Sequence, residues 1–179
     1  MKWFHERVSV WGLCVFVMII FGASCNKHEQ RPTRTYSETS LVGFIGRSGE
    51  IVISPKFSDA RAFSEGLAAV EMSNKWGYVD HKGEWIIAPE FDECEPFSES
   101  LAVVKVGGKS GYIDRTGAYV VQPGPWMLWP YKEGRGLFAK DHGQDRSYGF
   151  FDSAGRVVIE PIYSGARPFS EGVALVKKG

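Results

Sequence analysis

The sequence predicts an all-β fold: tandem three-stranded antiparallel meander repeats, arranged as a propeller-like ring or as an open β-repeat array. Three observations predict it. Aromatic residues make up 14% of the 179-residue chain and glycines number 21, a mixture that suits strands joined by tight turns. Long apolar stripes of helical period are absent from the body of the chain. Most directly, one unit recurs four times after residue 42.

The units begin at Gly43, Gly77, Gly111 and Gly149, spaced 34, 34 and 38 residues apart. They divide the domain 41–179 into repeats 43–76, 77–110, 111–148 and 149–179. The same residue types return at the same places in each copy. A second glycine stands at Gly49, Gly83, Gly117 and Gly155, a proline at Pro55, Pro89, Pro123 and Pro161, and a large ring at Phe63, Phe97, Tyr131 and Phe169. The extra residues of the third copy fit into one turn, "KDHGQDRSY" against "MSNKW".

Each unit parses into three strands. "LAAVEM" (67–72) alternates loosely and is read as the first strand, followed by the short turn "SNK". The second strand is "WGYVD" (76–80), closed by the glycine turn "HKG". The third is "EWIIAPEF" (84–91), where Pro89 marks a strand end or a sheet edge. About ten residues, "DECEPFSES", then return the chain to the next unit. A lone meander cannot bury both faces, so neighbouring units must stack.

These positions (K-W-G-Y with an aspartate, then glycine, proline and F-S-E-G-L-A) resemble the WG-repeat family. The resemblance implies an all-β repeat domain, distantly propeller-like, without recognised catalytic residues. The tryptophan itself survives only as Trp76, with Val42, Ser110 and Tyr148 in its place. The array starts on a second strand (41–45) and finishes on a first strand (173–178). Pairing of these two would close a ring; a broken repeat is the other reading.

The N-terminus reads as an address. Lys2 and Arg7 precede the apolar run 8–24, and Gly22, Ala23 and Ser24 lead into Cys25. The pattern is that of an export signal and resembles a lipoprotein lipobox with Cys25 as the lipid acceptor. An uncleaved membrane helix is the alternative. Residues 25–40 are polar and read as a flexible tether. Either arrangement places the body in the bacterial cell envelope, anchored to a membrane and facing the periplasm or exterior. Lys+Arg and Asp+Glu balance at 21 each, which gives no electrostatic case for nucleic acid.

Chemistry-bearing residues mostly fall on repeat turns. Asp80, Asp114 and Asp152 each stand three residues before Gly83, Gly117 and Gly155, the pattern of a turn in which aspartate binds local N–H groups and glycine takes positive φ. Gly46 fills the aspartate slot in the first unit, against a shared metal set. Glu65, Glu99, Glu133 and Glu171 recur in "FSEG"-type segments; recurrence in every unit favours a structural role over paired catalytic carboxylates. "GGKSG" (107–111) lacks the first glycine of a phosphate loop. The histidines share no ligand spacing, so neither a metal nor a cofactor is expected, and Cys94 reads as a small buried hydrophobe.

One departure carries specificity. In "PGPWMLWPY" (123–131), Trp126 replaces Ser58, Asp92 and Ser164 of the other copies, and Trp129 replaces Arg61, Glu95 and Arg167. Adjacent indoles in polar slots form a candidate binding patch; local repacking around Pro125 is the other reading. The functional expectation is a non-enzymatic binding or structural module, with protein, peptide or envelope glycan as partner. An envelope hydrolase using the repeat carboxylates and a passive spacer are the alternatives.

Overall fold

A computed structural model of the chain describes residues 40–143 and 145–179. The signal segment 1–24, the acceptor Cys25 and nearly all of the tether 25–40 lie outside the described residues. The described chain contains strands and turns and no helix.

β1 (Val42–Ile45) and β2 (Ile51–Phe57) form a two-stranded half-sheet. The first complete sheet orders β3 (Asp59–Ala60), β4 (Ala68–Met72), β5 (Lys75–Val79) and β6 (Trp85–Phe91). The second follows with β7 (Glu93–Cys94), β8 (Leu101–Val106), β9 (Lys109–Asp114) and β10 (Tyr119–Gly124). The third contains β11 (Trp126–Leu128), β12 (Gly136–Asp141), β13 (Arg146–Phe151) and β14 (Val157–Tyr163). β15 (Gly165–Ala166) and β16 (Val176–Lys177) make a final half-sheet. All pairings are antiparallel.

The predicted meander is therefore incomplete by one strand. The return segment is not wholly irregular: its first residues form a short strand against the first strand of the next sheet. One bend residue separates the two sheets, and Ser58, Asp92 and Ser164 donate their backbone N–H to the carbonyls of Glu71, Lys105 and Lys177 at 2.8–2.9 Å. A two-residue strand carries no readable alternation, which is why the pattern hid it. The three predicted strands are present, with ends that differ by one residue.

Pro89 does not end its strand. It lies inside β6, on the edge of the sheet, within a bulge. Trp76 pairs with Phe91 and Tyr78 with Ile87, so 88–90 arch over Gly77. A Cβ on Gly77 would stand 2.6 Å from the Ile87 carbonyl oxygen and 2.8 Å from the Pro89 nitrogen. A Cβ at Gly43, Gly111 or Gly149 would likewise stand 2.4–2.6 Å from the carbonyl oxygen of Ile53, Val121 or Ile159, so the bulged strand demands the glycine that opens every unit.

The core lies between consecutive sheets. Along β4, Ala68 and Val70 face the preceding half-sheet with Ile53 and Phe57, while Leu67 and Ala69 face the following sheet. Along β8, Ala102 and Val104 face back and Leu101 and Val103 face forward. Strands buried on both faces read as near-continuous apolar runs, which accounts for the loose alternation of "LAAV". The array is open. Among the described residues β16 pairs only with β15 and β1 only with β2. Core clusters join the first half-sheet and the three complete sheets in sequence, Phe150 and Phe169 meet at the last junction, and no strand pair joins the last half-sheet to the first, so the ring-closing pair is not made.

Candidate functional site

The recurrent carboxylates hold turns. Asp80 Oδ1 accepts from the N–H groups of Lys82 and Glu84 at 2.8 and 3.0 Å, and Gly83 closes the turn at φ 79°. Asp114 with Gly117 and Asp152 with Gly155 repeat the arrangement. These bonds depress all three carboxyls: chiefly the Glu84 N–H at Asp80, the Thr116 hydroxyl at Asp114 and the Arg156 N–H at Asp152. Where Gly46 replaces the aspartate, the carboxylate of Glu50 folds into the vacant place and meets the Ser48 hydroxyl.

The repeated glutamates form a ladder between units. Glu65 accepts from the Ser100 N–H at 2.9 Å. Glu99 accepts from Glu133 and Gly134 at 2.6 and 2.8 Å, and Glu133 from Glu171 and Gly172 at 2.7 and 2.9 Å. The Gly172 and Glu171 N–H groups hold the Glu133 carboxyl below its usual range. Each glutamate backbone sits near φ 50° in a tight turn. Ser64 and Ser98 add hydroxyl bonds to the carbonyls of Phe97 and Tyr131 one unit on.

Other motif residues serve packing. Gly107 and Gly108, at φ 56° and 74°, form the two-residue turn of the β8–β9 hairpin. His81 stacks on Phe63 at 4.2 Å. Cys94 is fully buried, and burial pushes its thiol up to about 12. Among the described residues no cluster of His, Cys, Asp and Glu has the arrangement of a metal site.

The two indoles of the third unit line a cleft between the second and third complete sheets. Its walls are Lys105, Gly108 and Ser110 on one side and Trp126, Met127, Leu128 and Trp129 on the other, enclosing about 310 Å³. Trp126 is half-buried, edge-on to Phe138 and Phe151 at 5.9 and 6.2 Å, with the Lys140 ammonium 5.3 Å from its ring centre. Trp129 is half-buried and tilted against Tyr148 at 5.9 Å, and its carbonyl accepts the Tyr112 hydroxyl at 2.5 Å. Met127 is exposed. Trp126 packs at the edge of the core, and both indoles keep part of their surface open to the cleft.

Ser110 explains the opening. It occupies the slot of Trp76, which is buried at the preceding junction and carries the Arg61 guanidinium over its ring. Serine leaves that volume empty. Lys105 and Met127 were not singled out from sequence, and Ser110 was noted only as a replacement of the tryptophan. The signal was the mismatch of small Ser110 against a tryptophan slot one unit earlier.

Fold and site define a tandem β-repeat protein whose units are specialised by substitution at fixed slots. The family described as "WG containing repeat" matches residues 43–76, 76–109 and 148–179, more than half of the chain, and the chain belongs to this family. The match passes over 110–147, the stretch that carries both indoles of the cleft. No curated protein and no solved structure matches.

Proposed function

We propose that the protein is a membrane-tethered binding module of the bacterial cell envelope, held through Cys25, which recognises a partner at the Trp126/Trp129 cleft. The observation that carries this reading is the difference between equivalent junctions: one is filled by Trp76, and the next holds a cleft flanked by two half-buried indoles. An aromatic wall facing polar groups, here Lys105 and Ser110, can hold a ligand by stacking and hydrogen bonding together. The volume and the flat aromatic walls suit an apolar peptide side chain or the face of a sugar ring, in line with a protein, peptide or envelope glycan partner.

A hydrolase built on the repeat carboxylates finds less support, because these groups already accept backbone N–H bonds in turns. The spacer alternative predicts that the indoles are dispensable. The discriminating experiment measures retention of the 26–179 domain on isolated peptidoglycan and on immobilised envelope proteins. Trp129→Ala and the cleft-filling Ser110→Trp should both lose retention while keeping the wild-type circular dichroism spectrum. Equal retention of all three would overturn the cleft as the site. Anchoring is tested separately by fatty-acid labelling, which Cys25→Ser should abolish.

A further inference from the structure

The wall that the third complete sheet gives to the cleft has lost its charge. In the second unit the stretch 89–97 carries Glu90, Asp92, Glu93 and Glu95. In the third unit 123–131 places Gly124, Trp126, Met127 and Trp129 in those slots and holds no charged residue. At the junction between the first and second complete sheets the carboxylates neutralise the cations that meet them. Asp92 takes the Lys75 ammonium, and Glu93 and Glu95 take the Arg61 guanidinium.

The cations at the next junction keep their places without those partners. Lys109 stands in the slot of Lys75, at the start of β9, which lies against β11; where Asp92 would receive it there is Trp126. The Lys140 ammonium rests 5.3 Å from the ring centre of that indole. Among the described residues neither Lys109 nor Lys140 forms an ion pair. Lys105, on the cleft wall, does pair with Glu93, but that carboxylate also holds Arg61, one anion between two cations. Ser110 adds a hydroxyl. It lines the cleft and is only 5% exposed, and among the described residues its hydroxyl has no hydrogen-bond partner. A buried hydroxyl left unbonded costs free energy, which a polar ligand group in the cleft would relieve.

We propose, resting on the reading of this cleft as the binding site, that its ligand is an acidic glycan. One sugar ring lies against the indoles with a hydroxyl at Ser110, and a carboxylate on that ring lies among the Lys105, Lys109 and Lys140 ammoniums. The face of an indole is negative, and it draws the electropositive C–H side of a sugar ring as it draws an ammonium. An anion brought by the ligand restores the charge balance that Asp92, Glu93 and Glu95 supply one junction earlier, through charge-assisted hydrogen bonds. The volume of about 310 Å³ stands at the small end for ligand pockets, which favours one ring and its substituent over a stretch of peptide.

The 26–179 chain retains every core cluster and is the form to test. Titration calorimetry measures its binding to oligosaccharides of galacturonate, glucuronate and sialate, to the same sugars with their carboxyls reduced to alcohols, and to an oligoglutamate peptide as a control for charge alone. At least one acidic sugar should bind, and its reduced form should bind about tenfold more weakly. Added salt should weaken the acidic form and leave the reduced form unchanged. Lys109→Gln/Lys140→Gln should bring the acidic sugar down to the affinity of its reduced counterpart. Equal affinity for acidic and reduced forms, binding of none of the acidic sugars, or oligoglutamate binding as tightly as the sugars would each overturn the proposal. The cleft itself is judged apart from its ligand. If Trp129→Ala and Ser110→Trp lose retention on envelope material while no acidic sugar binds, the cleft stands and the acidic glycan falls; if both variants are retained, both readings fall.

Discussion

The junction between the first and second complete sheets and the junction between the second and third occupy the same slots with opposite chemistry. At the first, Trp76 is buried under Arg61, whose guanidinium reaches Glu93 and Glu95 at 3.6 and 3.5 Å. Asp92 bridges two hairpins there, accepting from the Lys75 ammonium and the Gly107 N–H at 2.6 Å each. At the second, Ser110 replaces Trp76, Met127 and Trp129 replace Glu93 and Glu95, and Trp126 replaces Asp92. A closed, ion-bridged seam becomes an open cleft with an aromatic wall. The Tyr78 and Tyr112 hydroxyls still donate to the same carbonyl position, Glu95 and Trp129, at 2.7 and 2.5 Å, but the strand pairing slips by one residue: Ser110 pairs with Gly124, where Trp76 pairs with Phe91, the slot of Pro125. Repeats allow this because the turns and opening glycines hold each unit, which leaves the seam residues free to vary.

The contrast can be broken most strongly at Trp76. Removing this buried indole should cost about 3–5 kcal/mol, the usual range for emptying a large aromatic site in a core. Half-buried Trp129→Ala should cost far less, so chemical denaturation of the two variants tests whether the seams differ as described. Similar losses would mean that both indoles are structural.

The next effect should be equal at the two junctions. A Cβ at Gly77 or Gly111 meets a carbonyl oxygen at 2.6 Å, and either alanine should cost roughly 1–3 kcal/mol through overpacking against backbone. Unequal costs would show that the shifted β9–β10 pairing relaxes the close approach at Gly111.

The smallest effect is on acid stability. Asp80, Asp114 and Asp152 have depressed carboxyls, so their contribution is complete above the unfolded value of about 4 and disappears as pH falls through the lower folded values. Melting temperatures should therefore drop as the pH falls below about 4. Replacing the three by asparagine should flatten that slope at both junctions alike.

Much of the scaffold was legible. Period, the three longer strands of each sheet and the turn residues follow from slots repeated in every copy, and the stacking follows from meanders that cannot bury both faces alone. The short return strands were not legible, because Asp59–Ala60 and Glu93–Cys94 are too brief to show a period. Pro89 was read as a strand end or a sheet edge; it lies on the edge, and the bulge around it was hidden because a bulge depends on the partner strand and not on local sequence. Of the cleft, Trp126 and Trp129 were visible as departures from their slots. Ser110 was visible only as a lost tryptophan, and its meaning depends on what faces it across the seam.

The central claim is that specificity lies at the second seam and not the first. The most direct measurement follows the indole N–H resonances of Trp76, Trp85, Trp126 and Trp129 in the 26–179 domain as soluble peptidoglycan fragments and then solubilised envelope proteins are added. Shifts or broadening at Trp126 and Trp129, with Trp76 unmoved, are the predicted result. Binding that perturbs Trp76 and leaves Trp126 and Trp129 unchanged would contradict the account.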